Sequence, residues 1–247
     1  MSMKLRLIYH TFMQYFPIVL ILFGFQLIVS ANWVWWATCL IAIFVMNVYG
    51  FGLGFHHTFA HQTFQFKRPV EIALMYIGTC ATLVAPLTWS IAHAAHHRYV
   101  DTENDPHSPS YLGWKILFYY NHNTTKPSLI PVRHLLKDRA HLWFDSNIGY
   151  WTTVLSLPVI SFLIGGATGL IFIWAIPTFY VLWTGIVFAL AHDDESSTHG
   201  HKAKNSVLLG ILSFGDGDHQ KHHSNWSYNG WIHQQCAKLL YGKRLAK

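Results

Sequence analysis

From Leu7 to Phe66 the chain reads LIYHTFMQYFPIVLILFGFQLIVSANWVWWATCLIAIFVMNVYGFGLGFHHTFAHQTFQF, 60 residues without one Asp, Glu, Lys or Arg. A bilayer crossing takes about 20 apolar residues. The run is therefore long enough for two crossings, and Ser30-Ala31-Asn32 is the natural turn between them. A second uncharged run of 47 residues, Ser146 to His192, repeats the pattern, with its turn at Gly165-Gly166-Ala167-Thr168-Gly169. Lys4 and Arg6 ahead of an apolar stretch, and Val29-Ser30-Ala31 after it, resemble a secretory signal and its cleavage site. Trp33 to Phe55 is apolar again almost at once, so a hairpin of two retained helices is expected instead. Charged residues make up 11% of the 247, against roughly 25% in an ordinary soluble domain. That composition excludes a disordered tail, a collagen-like repeat and most soluble enzymes.

Two hairpins put three charged segments on one side of the membrane and the two turns on the other. Lys and Arg number 2 before the first hairpin, 8 from Lys67 to Arg139 and 7 from Lys202 to Lys247, which accounts for all 17. The positive-inside rule then assigns both termini and the segment between the hairpins to the cytoplasm. Membrane topology and anionic headgroups account for the net charge of +6 without nucleic acid. The expected architecture is an all-α integral membrane protein of one domain, 1–247. Four transmembrane helices lie in hairpins at about 8–55 and 148–192, and a cytoplasmic helical cap is built from about 56–147 and 193–247. Ile72 to His97 is uncharged but interrupted by Pro86, which suits a re-entrant, interfacial or buried segment. Pro131 to Phe144 reads as a proline-started helix with Val132, Leu135, Leu136 and Trp143 on its apolar side. Trp231 to Leu245 reads as a surface helix, with Ile232, Cys236, Leu239 and Leu240 at helical spacing. Cys39, Cys80 and Cys236 form no CxxC and imply neither a disulfide scaffold nor a zinc ribbon.

Chemistry concentrates in the 18 histidines. Three clusters stand out: His56-His57-Thr58-Phe59-Ala60-His61, His93-Ala94-Ala95-His96-His97 and His219-Gln220-Lys221-His222-His223. Offsets of three and four place side chains on one helix face, so each H-x-x-H-H can aim its rings at one place. His56 and His61 are five apart, roughly 140° around an α-helix. Either the second transmembrane helix ends between them or they serve different metals. The topology brings all three clusters, and His192 at the end of the fourth helix, to the cytoplasmic mouth of the bundle. Setting His57 aside leaves nine histidines, too many for one ion and suited to two. No Glu-x-x-His pair of the soluble di-iron kind occurs. His10, His122, His134, His141, His199, His201 and His233 are scattered and read as interfacial or surface groups.

At these residues the sequence resembles the membrane fatty acid desaturases, in particular their stearoyl-CoA (Δ9-type) branch. The family's boxes H-x4-H, H-x-x-H-H and H-x-x-H-H correspond to His56–His61, His93–His97 and His219–His223. Asp101-Thr102-Glu103-Asn104-Asp105-Pro106-His107 matches the acidic stretch after the second box, and Trp89 also matches. The resemblance implies a mushroom-like fold with a di-iron centre held by His56, His61, His93, His96, His97, His192, His219, His222 and His223. It implies O2 as co-substrate and removal of two hydrogens from an acyl chain carried on CoA, a carrier protein or a lipid. Three departures stand out. Phe188 replaces the Asn of animal members, which holds a metal-bound water; His57 replaces the Arg that follows the first box histidine; and the N-terminal tail is short.

Neutral imidazoles do not cancel the charge of iron, so outer acceptors must orient each ring. Asp101, Asp105, Asp216 and Asp218 are the candidates. No haem segment, iron–sulfur cysteine set or dinucleotide fingerprint is present. Electrons are then expected from a separate donor such as a cytochrome b5 or a ferredoxin, docked on the basic cytoplasmic face. A hydroxylase or acetylenase on the same scaffold is the nearest alternative. A histidine-rich metal-binding or transport protein is a remoter one, because a transporter would spread its ligands along a path through the membrane.

Overall fold

The computed structural model describes residues 3–119, 129, 131–193 and 200–245. Its first helix, α1 (Met3–Phe23), breaks at Gly24 and continues as a short turn, Phe25–Val29. Asn32 then caps α2 (Trp33–Ala60), its side chain accepting from the backbone N–H groups of Val34 and Trp35. A cap of this kind satisfies donors that the first turn leaves free, and it fixes the reversal at the expected Ser30-Ala31-Asn32.

The second long apolar element, α6 (Asn147–Leu190), is not straight. Gly165 and Gly166 leave the helical region, Gly166 with φ 57°. Val154 and Leu157 from before the break pack with Leu170 and Trp174 from after it. In a continuous helix Val154 and Trp174 would stand about 30 Å apart at 1.5 Å per residue. Their place in one cluster, with Gly169 so close to Ser161 that a Cβ would lie 2.3 Å from the Ser161 carbonyl oxygen, makes α6 a hairpin of two arms. α2 and α6 are long and apolar enough to cross a membrane.

Between them lie α3 (Arg68–Thr82) and α4 (Pro86–Tyr99), bent by 74° to one another. Leu83 takes a left-handed φ of 55° and Pro86 opens α4, where its missing N–H costs nothing. The expected interruption at Pro86 is this bend, and the segment is largely buried against the other helices. Asp145 closes the exposed start of α4, accepting from the N–H of Leu87 (3.1 Å) and Thr88 (3.3 Å) and from the Thr88 hydroxyl (2.6 Å).

Two helix expectations change. Pro131 to Phe144 is not one helix. Turns and a short 3-10 segment, Leu135–Lys137, precede α5 (Arg139–Asp145), which starts afresh because Asp138 accepts from Ala140 N and His141 N. Val132 and Leu135 are buried as expected, but Trp143 is largely exposed. After α7 (Val207–Leu212) and α8 (His219–Ser224), the last helix, α9 (Trp231–Leu239), ends earlier than expected. Its inward face is His233, Cys236 and Ala237, with Leu239 outside. The chain then pairs β2 (Lys243–Arg244) antiparallel with β1 (Phe64–Gln65), tying the end of the described chain to the exit of α2.

Candidate metal centre

Each histidine cluster arrives on a different element. The second half of α2, Val45–Ala60, is wound as a π-helix. The His61 N–H reaches the His56 carbonyl five residues back, at 3.0 Å. That i→i+5 winding returns residue 61 to the face of residue 56. The rings lie 4.9 Å apart between centroids and join one group of donors. The sequence offered a helix end or two separate metals; the structure takes a third course, a wider helical turn.

In α4, Trp89 stacks flat on His93 at 4.6 Å, while His96 and His97 continue the same face. His219, His222 and His223 come from α8, and His192 lies just past the end of α6. Donor nitrogens of His56, His61, His93, His97 and His222 all fall within 4.8 Å of one another. A second group joins His96, His192 and His223, with His219 Nε2 3.0 Å from His192 Nε2. The groups adjoin, His97 and His223 stacking at 4.5 Å. All nine histidines singled out in the sequence are thus brought together.

On His96, His192 and His222 the opposite ring nitrogen faces an acceptor. His96 Nδ1 lies 2.8 Å from Asp105, His192 Nδ1 3.0 Å from Asp101 and His222 Nδ1 3.4 Å from the Tyr228 carbonyl. Asp105 also accepts from the N–H groups of Asp101 and His107, and Asp101 from that of Lys202, so the loop after the second box is pinned from within. Asp218 does not join them; its carboxylate takes the Tyr228 hydroxyl and the Lys221 ammonium, and the bond to Asp218 raises the Tyr228 hydroxyl to about 12.

Asp216 has an arrangement that the sequence did not announce. Its carboxylate lies 3.4 Å from His57 Nε2, 3.2 Å from His233 Nδ1 and 3.8 Å from His56 Nδ1. Burial alone would raise this carboxyl, but the imidazoles of His233 and His57 hold it well below the usual carboxylate range. His233 enters because Gly52 has no side chain: a Cβ there would come 2.3 Å from His233 Nε2. His57 carried a local signal, its place beside a box histidine. His233 carried none. His201, read as scattered, packs 5.2 Å from the His223 ring and sits 3.3 Å from the Ser224 hydroxyl. His141 and His134 lie away from the cluster, and His122 and His199 fall outside the described residues.

The chemistry of this set fits bound metal. Imidazole binds a metal ion as the neutral ring, and burial pushes His222 down to about 3 and His219 and His223 well below the usual range. His223 Nε2 is buried without a hydrogen-bond partner. Donor nitrogens converge while the outward nitrogens of His96 and His192 meet carboxylates, the arrangement metal-bound histidines adopt. Beside the rings is a cavity of about 50 Å³, walled on its apolar side by Phe51, Trp89, Phe188 and Ala189. Phe188 packs edge-on to His219 at 5.1 Å and brings no polar atom there.

Residues 30–241 match the fatty acid desaturase family model. The chain belongs to the fatty acid desaturase family. Its desaturase-type relatives include the sn-1 stearoyl-lipid 9-desaturase of Anabaena variabilis, 28% identical over 212 residues, 79% of this chain and 74% of that protein. The icosanoyl-CoA 5-desaturase of Limnanthes douglasii is 26% identical over 76% of this chain, which spans 55% of its length. The hex-5-enoyl-[acyl-carrier protein] acetylenase of Moorena producens is 24% identical over 75% of this chain and 65% of its own. The desaturase family places this chain among membrane oxidoreductases of lipid metabolism.

Proposed function

We propose that this chain is an O2-dependent, di-iron fatty acyl desaturase that introduces a double bond into a saturated acyl chain. The observation that carries the reading is the convergence of nine imidazoles in two adjoining groups within a chain of the desaturase family. His56, His61, His93, His97 and His222 are assigned to one iron and His96, His192, His219 and His223 to the other. Iron so bound supplies, with O2 and two external electrons, the oxidising power to take hydrogen from an unactivated methylene.

The chain's own residues do the rest. Asp105 and Asp101 hold protons on the outward nitrogens of His96 and His192, keeping the inward nitrogens free as donors, while Asp216 stands behind His56 at 3.8 Å. Phe51, Trp89 and Phe188 exclude water from the cavity where the acyl chain lies beside the rings. Relatives named for lipid-linked, CoA-linked and carrier-protein-linked chains make the apolar tail, not its carrier, the shared element. A cytochrome b5 or ferredoxin delivers the electrons. In the membrane the chain forms one domain with four crossings: α1, α2 and the two arms of α6. Both termini and the histidine cap are cytoplasmic, a reading that the distribution of Lys and Arg supports.

The test is expression in a desaturase-deficient host, with lipids from aerobic and anaerobic cultures compared by mass spectrometry. New monounsaturated chains in air alone are expected. A saturated profile from folded, iron-loaded protein supplied with a donor would overturn the reading. The acetylenase relative favours a second outcome on the same scaffold, a triple bond, which the same product analysis detects.

A further inference from the structure

The geometry points to a second kind of membrane contact. α7 and its return loop, Ser206 to Gly217, form a re-entrant segment whose outer face packs against the acyl tails of the surrounding lipid. By charge, this segment lies in a cytoplasmic cap. By structure, it sits against the interior of the bundle. Tyr180 is ten residues, about 15 Å at 1.5 Å per residue, before the end of α6 at Leu190. Its hydroxyl donates to the Leu212 carbonyl at 2.7 Å, and Asn47, inside α2, donates to the same carbonyl at 3.3 Å. The tip of α7 therefore lies well along the spans, on the turn side of the histidines.

Three features suit a surrounding without water. First, the carbonyls that end a helix lack partners within it, and in hydrocarbon they must be satisfied by protein. Here all four are. Leu209 O accepts from Ser213 N (2.8 Å) and the Ser213 hydroxyl (2.6 Å), Gly210 O from Gly215 N (2.9 Å), Ile211 O from Phe214 N (3.4 Å) and Leu212 O from the two side chains above. Second, the outward residues are apolar and open: Val207 is 82% exposed, Leu208 59% and Ile211 66%. No charged residue occurs from Asn205 to Gly215, and the charges resume at the mouth with Lys204, Asp216 and Asp218. Third, the mouth is closed by the chain itself. Ser206 N donates to Gly217 O at 2.9 Å, and the limbs approach so closely that a Cβ on Gly217 would lie 2.8 Å from Gly210 Cα.

The exposed apolar face is carried by a segment bonded to Asn47 in α2 and to Tyr180 in α6, both inside the long apolar helices. Lipid, not a second protein, is the occupant that this depth selects. The return limb leads directly to Asp216 and His219, so lipid seated on α7 braces the loop from which the third histidine cluster springs. The inference rests on the membrane reading of α2 and α6.

The test places a nitroxide at Leu208→Cys, Ile211→Cys or Val207→Cys in the full chain in lipid nanodiscs. Collisions with O2, which concentrates in hydrocarbon, are compared with those of a water-soluble nickel chelate by power-saturation EPR. Leu40→Cys is the lipid reference and the exposed Glu103→Cys the water reference. Cys39, Cys80 and Cys236 are buried, and the unsubstituted chain measures their background labelling. Circular dichroism selects folded variants, and any one of the three positions suffices. An O2-dominated signal, matching Leu40, is expected. A nickel-dominated signal, matching Glu103, overturns the inference while the Leu40 result leaves the membrane reading standing. Nickel access at Leu40 as well would overturn both. Spin–spin broadening between labels would replace lipid by a second copy and equally overturn it.

Discussion

The two histidine groups are held from behind in different ways. The group of His96, His192, His219 and His223 leans on a single short loop: Asp101 and Asp105 sit four residues apart, and each meets an imidazole at 3.0 Å or less. The group of His56, His61, His93, His97 and His222 has no such loop. Its carboxylate, Asp216, stands 3.8 Å from His56 and is shared with His57 of the same helix and with His233 of α9. One support is local and tight, the other assembled across the fold and looser. The comparison teaches where each group is vulnerable: the first to loss of one carboxylate, the second to any change that shifts α2 against α9.

The largest effect falls on the rings themselves. His96→Ala should lose bound iron and activity by more than the roughly 10- to 100-fold that an outer partner costs, whereas the exposed His134→Ala keeps both, with metal content and product formation as the readouts. Equal behaviour of the two would dissolve the ligand assignment. Next come the carboxylates. Asp105→Asn should weaken metal binding by about 10- to 100-fold, and Asp216→Asn by less, because His56, the histidine assigned to iron that it faces, stands 3.8 Å away. A titration in which Asp216→Asn proves the more damaging would reverse the ranking of the two supports. Gly52→Ala probes the assembled support from its other end. The new methyl meets His233, and overpacking of this kind costs about 1–3 kcal/mol in a melting experiment. Adding His233→Ala should recover part of that loss; strict additivity would mean the methyl harms something else.

The smallest effect lies outside both groups. Asp138 caps α5, so Asp138→Ala should cost about 1 kcal/mol. The Arg68 guanidinium holds the Asp138 carboxyl well below its ordinary 3.8, so its stabilising contribution is present above that value and is lost as pH falls through the lower folded one. The unsubstituted chain should therefore lose stability toward Asp138→Ala only below about pH 4, and a constant gap down to pH 2 would contradict it.

How much of this could be read in the sequence follows from the range of each interaction. The long apolar helices and the turns beside them were legible because they depend on runs of composition and on local signals such as Asn32 and Gly165-Gly166. The nine histidines were legible because H-x-x-H-H is a local pattern and Asp101 and Asp105 lie in the same stretch as the second box. The π-winding that unites His56 with His61 was not, since a regular 3.6-residue period cannot reveal its own local failure. Nor was His233, whose partnership with Asp216 depends on Gly52 being bare on a distant helix. The depth proposed for α7 was not legible either, because it rests on the bonds of Tyr180 and Asn47 to Leu212, not on its own six residues.

The central claim is that these imidazoles hold a pair of irons. X-ray absorption and Mössbauer spectroscopy on the purified chain, with metal content per chain measured alongside, test it most directly. The account predicts two irons per chain with a first shell dominated by imidazole nitrogen. One zinc per chain, or a first shell of carboxylate oxygen, would contradict it.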